Sequence, residues 1–152
     1  MLRDIRTLFD KPVPTSYKAA AEFKTGMAVV LNDADNAAQF AEAATSANLW
    51  FVDKERIPTG VNAGRQNLSD YEAEYVTVYA GDMVKLKKYL PGEEFATDAK
   101  GSATIGKTVE VGADGLLADA ASASPYLYVA DYNDNGHVLM LVRVLDTPVA
   151  NA

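Results

Sequence analysis

The chain has 152 residues, is 49% hydrophobic and 23% charged, contains no cysteine and carries a formal net charge of −7. That size suits one globular domain able to bury about two-thirds of its unfolded surface. The missing cysteines exclude disulfides and thiolate metal sites, and the acidic balance argues against nucleic acid as a partner, which demands a basic footprint.

Residues 1–24 read as an extended N-terminal arm. Leu2, Ile5 and Leu8 or Phe9 are spaced for about two turns of an amphipathic helix, which Pro12 and Pro14 end in extended geometry. Residues 1–25 hold five basic groups (Arg3, Arg6, Lys11, Lys18, Lys24) against three acidic ones (Asp4, Asp10, Glu22), so a mildly basic start precedes a strongly acidic body. So short an apolar segment must dock on its own domain or on a partner, unless it is a frayed terminus. Met1 to Arg6 lacks the apolar centre of a signal peptide, and no run in the chain approaches bilayer length. No membrane partner is expected, and the protein is expected to fold where it is made.

The body, residues 25–146, opens with a strand at Met27–Leu31, closed by the turn formers Asn32 to Asn36. Residues 36–48 are alanine-rich and admit a helix capped by Asn36, but the alternation around Phe40 favours strand and loop. Leu49 to Val52 is a compact apolar strand containing the single tryptophan, Trp50. Asp53 to Glu74 is charged, aperiodic and broken by Pro58, Gly60 and Gly64, which makes it a long loop, either functional or a solvated excursion.

From Tyr75 the hydrophobic period becomes 2. Val76 and Val78 oppose Tyr75, Thr77 and Tyr79, and Gly81-Asp82 turns the chain into Val84 and Leu86. Glu93 to Lys100 is polar and carries no apolar run. Val109 and Val111 form an inward pair, Ala113 to Gly115 turns into Leu116-Leu117, and Leu127 and Val129 alternate with Tyr126 and Tyr128. Val138 to Leu145 is apolar on both faces except at Arg143, as in a strand covered on both sides. Residues 147–152 form a C-terminal tail. So many short strands indicate an all-β fold, mainly an antiparallel barrel or sandwich.

Several motifs imitate chemistry. Gly101-Ser-Ala-Thr-Ile-Gly106-Lys107-Thr108 satisfies the Walker A pattern, and Tyr126 to Asp131 imitates the strand that holds Mg²⁺. A phosphate cradle needs a buried strand before it and a helix after it. Here a polar stretch precedes the motif, and Gly112 and Gly115 break any helix after it, so Gly101 to Ile105 is expected as a loop and Lys107 to Val111 as a strand. Asp131-Tyr-Asn133-Asp-Asn135-Gly136 opens like an EF-hand loop, but its twelfth position is Val142, not the required bidentate Glu. Asn135-Gly136 between two strands instead signals a two-residue hairpin. His137, the single histidine, follows that turn and reads as a surface strand residue rather than a triad member. Glu93 and Glu94 are strand neighbours that point to opposite faces, unlike a glycosidase pair. Tyrosines 71, 75, 79, 89, 126, 128 and 132 could stack sugars, or could simply fit strands and interfaces. No catalytic residue, cofactor or metal ligand is assigned.

With enzymes set aside, the layout resembles the small decoration (cement) proteins on the capsids of tailed bacteriophages. The similar stretches are Phe51 to Gly60, Val78 to Val84, Lys88 to Asp98, Ile105 to Gly115 and Tyr132 to His137. They are turns and strands, so the resemblance concerns a scaffold. It implies a structural virion protein on the outer capsid surface, made in the host cytoplasm, that binds the major capsid protein and bridges capsomers as a homotrimer or homodimer. The residues expected to contact capsid or a neighbouring subunit are Leu2, Arg3, Ile5, Arg6, Leu8 and Phe9 of the arm, with Arg56 and Arg65 of the long loop. A phage tail or baseplate accessory and a carbohydrate-binding module remain as alternatives.

Overall fold

The computed structural model describes residues 1–8, 16–54 and 73–152. In chain order these form strands β1 (Leu2–Arg6), β2 (Lys18–Ala19), β3 (Phe23–Lys24), β4 (Ala28–Asn32), β5 (Ala37–Gln39) and β6 (Trp50–Asp53). A one-turn helix α1 (Ala73–Val76) then leads to β7 (Thr77–Val78), β8 (Lys85–Lys87), β9 (Glu94–Thr97) and β10 (Thr108–Val111). Strands β11 (Leu117–Asp119), β12 (Ser124–Asp134) and β13 (His137–Val149) complete the chain. The fold is all-β, as expected.

The larger sheet has six strands in the order β1-β9-β13-β12-β10-β11, with antiparallel pairing throughout. The smaller runs β2-β5-β4-β6-β8. It curls until its two ends meet: Lys18 bridges Met83 just ahead of β8, and Ala19 N–H donates to Asp82 O at 2.8 Å. The short pair β3-β7 lies beside it.

The two larger apolar clusters among the described residues follow from this arrangement. Between the sheets lie Phe51, Tyr89, Phe95, Val109, Tyr126, Tyr128 and Val142 with their neighbours. Inside the curl lie Phe23, Val29, Ala38, Val52, Val84 and Leu86. Strands β4 and β6 serve both: Ala28 and Phe51 face the first cluster, Val29 and Val52 the second. That double duty explains why Met27–Leu31 and Leu49–Val52 are continuous apolar runs rather than alternating ones. Phe51 organises the first cluster, 4.5 Å from the ring of Phe95 and 5.6 Å from that of Tyr89. At the seam, Gly115 has φ +75°, and a Cβ there would come within 2.6 Å of Phe40. Only glycine fits that turn.

Most of the remaining strand expectations hold. Residues 37–39 are strand and the following segment is loop, Gly101 to Lys107 is loop, and β10 begins at Thr108. Asn135 and Gly136 take φ of 51° and 91°, the geometry of a tight hairpin between β12 and β13.

Several expectations are corrected. The helix read from Leu2, Ile5 and Leu8 is strand β1, paired with β9 and bulged between Asp4 and Arg6. Leu2 is buried, so the chain's start belongs to the sheet rather than to a separate arm. The polar stretch Glu93–Lys100 contains β9, an interior strand in which Phe95, Ala96 and Thr97 are fully buried. Tyr75 and Val76 belong to α1 rather than to a strand. The outer face of β13 is only partly covered: Leu139 is buried, Leu141 and Leu145 are half-buried and Arg143 is exposed.

Candidate docking surface

The motif-bearing loops spend their polar groups inside the fold. In the Walker-like loop, Gly106 N–H donates to Tyr128 O, Lys107 N–H to Thr104 O and Gly101 N–H to Leu117 O. Thr104 N–H donates to Asp119 Oδ1 at 2.7 Å, and Lys107 Nζ lies 3.2 Å from Asp119 Oδ2. The Thr104 N–H bond, with Lys107 beside it, holds the Asp119 carboxyl below its usual range. Thr108 is buried, its N–H bonded to Asn151 Oδ1 at 2.7 Å. Five amides of the motif, those of Gly101, Thr104, Gly106, Lys107 and Thr108, are therefore turned onto the protein.

The EF-hand-like residues diverge in the same way. Asp131 accepts a bond from the Tyr128 hydroxyl, Asn133 Oδ1 takes Gly136 N–H at 2.8 Å, and Asp134 Oδ2 takes Arg3 Nε at 2.9 Å. Among the described residues, no three His, Asp or Glu side chains converge as metal ligands. Glu93 is fully buried and its carboxylate accepts Leu90 N–H at 2.7 Å and Leu8 N–H at 3.0 Å. Glu94 instead pairs with Arg143 at 2.6 Å. His137 is exposed at the start of β13.

The tyrosines form no common platform among the described residues. Tyr75, Tyr89, Tyr126 and Tyr128 are buried, Tyr132 is half-buried and Tyr79 is exposed; Tyr71 lies outside the described residues. Burial pushes the Tyr126 hydroxyl up to about 12. Burial, with Asp4 accepting its bond at 2.5 Å, raises Tyr89 further.

The expected contact residues divide at the N-terminal edge of the larger sheet. Leu2 packs into the core, and Arg3 is half-buried and paired with Asp134. Asp4 draws the edge onto the smaller sheet by accepting from Tyr89 and from Lys87 Nζ at 2.7 Å. Ile5, at the bulge, is 37% exposed, and Leu8 is 48% exposed. Arg6 is exposed and makes no ion pair among the described residues. Leu90, missed in the sequence, joins Leu8 because both backbone amides are held by Glu93, and it is itself 36% exposed. Phe9, Arg56 and Arg65 lie outside the described residues. The result is an apolar edge of Ile5, Leu8 and Leu90 carrying the Arg6 cation, on a protein of net charge −7.

Compared with models of protein families, with curated proteins and with solved structures, the chain gives no match.

Proposed function

We propose that the protein is a non-catalytic structural component of a tailed-phage virion, which docks on the outer capsid surface and bridges neighbouring capsomers. Its partners on this reading are the major capsid protein and further copies of itself. The resemblance of its turns and strands to capsid decoration proteins supplies the class. The observation that carries the docking mode is the exposed edge of Ile5, Leu8 and Leu90 with Arg6 beside it. Apolar side chains of this size contribute about 1.5–3 kcal/mol each when fully buried. The Arg6 cation beside these apolar groups favours one orientation against an acidic partner surface.

The test is difference imaging of virions with and without the protein. Density on the outer capsid at capsomer junctions, with the β1 edge facing the shell, is expected. Density on the tail or baseplate, or none, overturns the proposal.

A further inference from the structure

A second surface of the molecule is built differently. On the smaller sheet, Leu31 and Trp50 pack partly buried on the edge of the inner cluster. A cleft of about 380 Å³ opens there, lined by Leu31, Asp33, Thr45, Asn48, Trp50 and Lys88. Its volume falls within the range of small-molecule sites.

Trp50 is half-buried, so part of its ring is available as a flat apolar wall. Around it stand polar groups that the fold does not consume. Lys88 Nζ lies 5.3 Å from the centre of the Trp50 ring and makes no ion pair among the described residues. The Asn48 side chain donates to and accepts from nothing among the described residues, and its backbone holds φ 53°. That left-handed conformation is uncommon outside glycine and fixes where the amide sits on the rim. Asp33 accepts the Tyr17 hydroxyl through one carboxylate oxygen, leaving the other for a ligand. A flat aromatic wall ringed by an amide, an ammonium and a carboxylate matches one chemistry well: a ring with an apolar C–H face and hydroxyls around its edge. The opposed charges of Lys88 and Asp33 disfavour a phosphate, which would meet the carboxylate, and the polar rim disfavours an acyl chain.

We infer that this cleft binds a pyranose sugar, stacked on Trp50 with its hydroxyls bonded by Asn48, Asp33 and Lys88. The Lys88 ammonium swings from the ring to a hydroxyl on binding, giving up a cation–π contact that at exposed sites is weak. This site is separate from the N-terminal edge and does not depend on the capsid reading.

Trp50 is the single tryptophan, so its emission reports on the cleft directly. The full chain is titrated with cellohexaose, mannohexaose and hexagalacturonate, which together span equatorial, axial and carboxylated pyranoses. At least one should give a saturable change in emission. Asn48→Gly, which keeps the left-handed backbone without strain, and Lys88→Met should each weaken that binding about tenfold, the loss of one hydrogen bond, while leaving the melting temperature nearly unchanged. Trp50→Ala is unsuitable alone because the ring also packs on the inner cluster. The inference fails if none of the three sugars changes the emission or shifts the indole N–H resonance. It fails equally if binding is unaffected by both substitutions.

Discussion

Replacing Asn151 by alanine should unseat the C-terminal tail from the larger sheet. The Asn151 amide donates to Thr108 O and Ala120 O, both at 2.9 Å, and its carbonyl accepts Thr108 N–H at 2.7 Å. The Thr108 hydroxyl has one proton to share between Asn151 Oδ1 at 2.9 Å and Val149 O at 3.0 Å. Three bonds are thus secure and a fourth is shared. At about 1 kcal/mol net per bond the loss would reach 3–4 kcal/mol. Water can re-solvate the carbonyls at the half-buried Asn151 but reaches the Thr108 amide poorly, because Thr108 is 2% exposed. A loss of about 2–3 kcal/mol is therefore expected, which for a domain of this size lowers the melting temperature by roughly 4–12 °C. Calorimetry measures this, and hydrogen exchange at the Thr108 amide should accelerate in parallel. A melting temperature within about 1 °C of the parent would refute the latch.

Further outcomes follow from the same geometry. Deleting residues 1–8 should lower the melting temperature, since it removes β1 and the buried Leu2, worth about 1.5–3 kcal/mol on its own; an unchanged melting curve would return the segment to the status of a loose arm. Gly136→Val should cost about 1 kcal/mol or more in chemical denaturation. The space beside Gly136 is open, so the whole penalty comes from its φ of 91°. Tyr126, raised from 10.0 to about 12 in the fold, contributes stability that is complete below pH 10 and is lost as pH rises through 12. Alkaline denaturation followed by tyrosinate absorbance should show that onset, and Tyr126→Phe should delay it. Lys107→Ala should leave the protein without measurable affinity for MgATP, like the parent; micromolar binding by the parent, lost in the variant, would contradict the turned-in amides of the loop.

The sequence was readable wherever local chemistry sets the structure. Asn135-Gly136 specifies its turn through the positive φ that these residues tolerate, and Gly112 to Gly115 ends β10 for a related reason. It misled where long-range neighbours decide. Strand β9 looks polar because Glu93 precedes it and Glu94 opens it. Its strand character comes from β1 and β13 on either side, with one carboxylate buried on backbone amides and the other paired with Arg143. In β1 the helical spacing of Leu2, Ile5 and Leu8 does not mark one face: Leu2 is buried in the core, whereas Ile5 at the bulge and Leu8 beyond the strand are exposed. The candidate surfaces were legible only in part. Ile5, Arg6 and Leu8 could be read as an apolar and basic start, but Leu90 joins them only through the buried Glu93. The Trp50 cleft brings together residues from three separate segments, and no local pattern announces it.

Co-sedimentation with purified capsids of the proposed parent phage tests the docking proposal most directly. Capsids lacking the protein are mixed with the parent or with the surface variants Leu8→Glu and Arg6→Glu, whose exposed side chains leave the core intact. The account predicts saturable pelleting of the parent, and at least tenfold weaker binding by Leu8→Glu from loss of about 1.4 kcal/mol or more of apolar contact. Arg6→Glu should bind more weakly and lose its sensitivity to salt. A parent that stays in the supernatant, or variants that pellet with parental affinity, would contradict it.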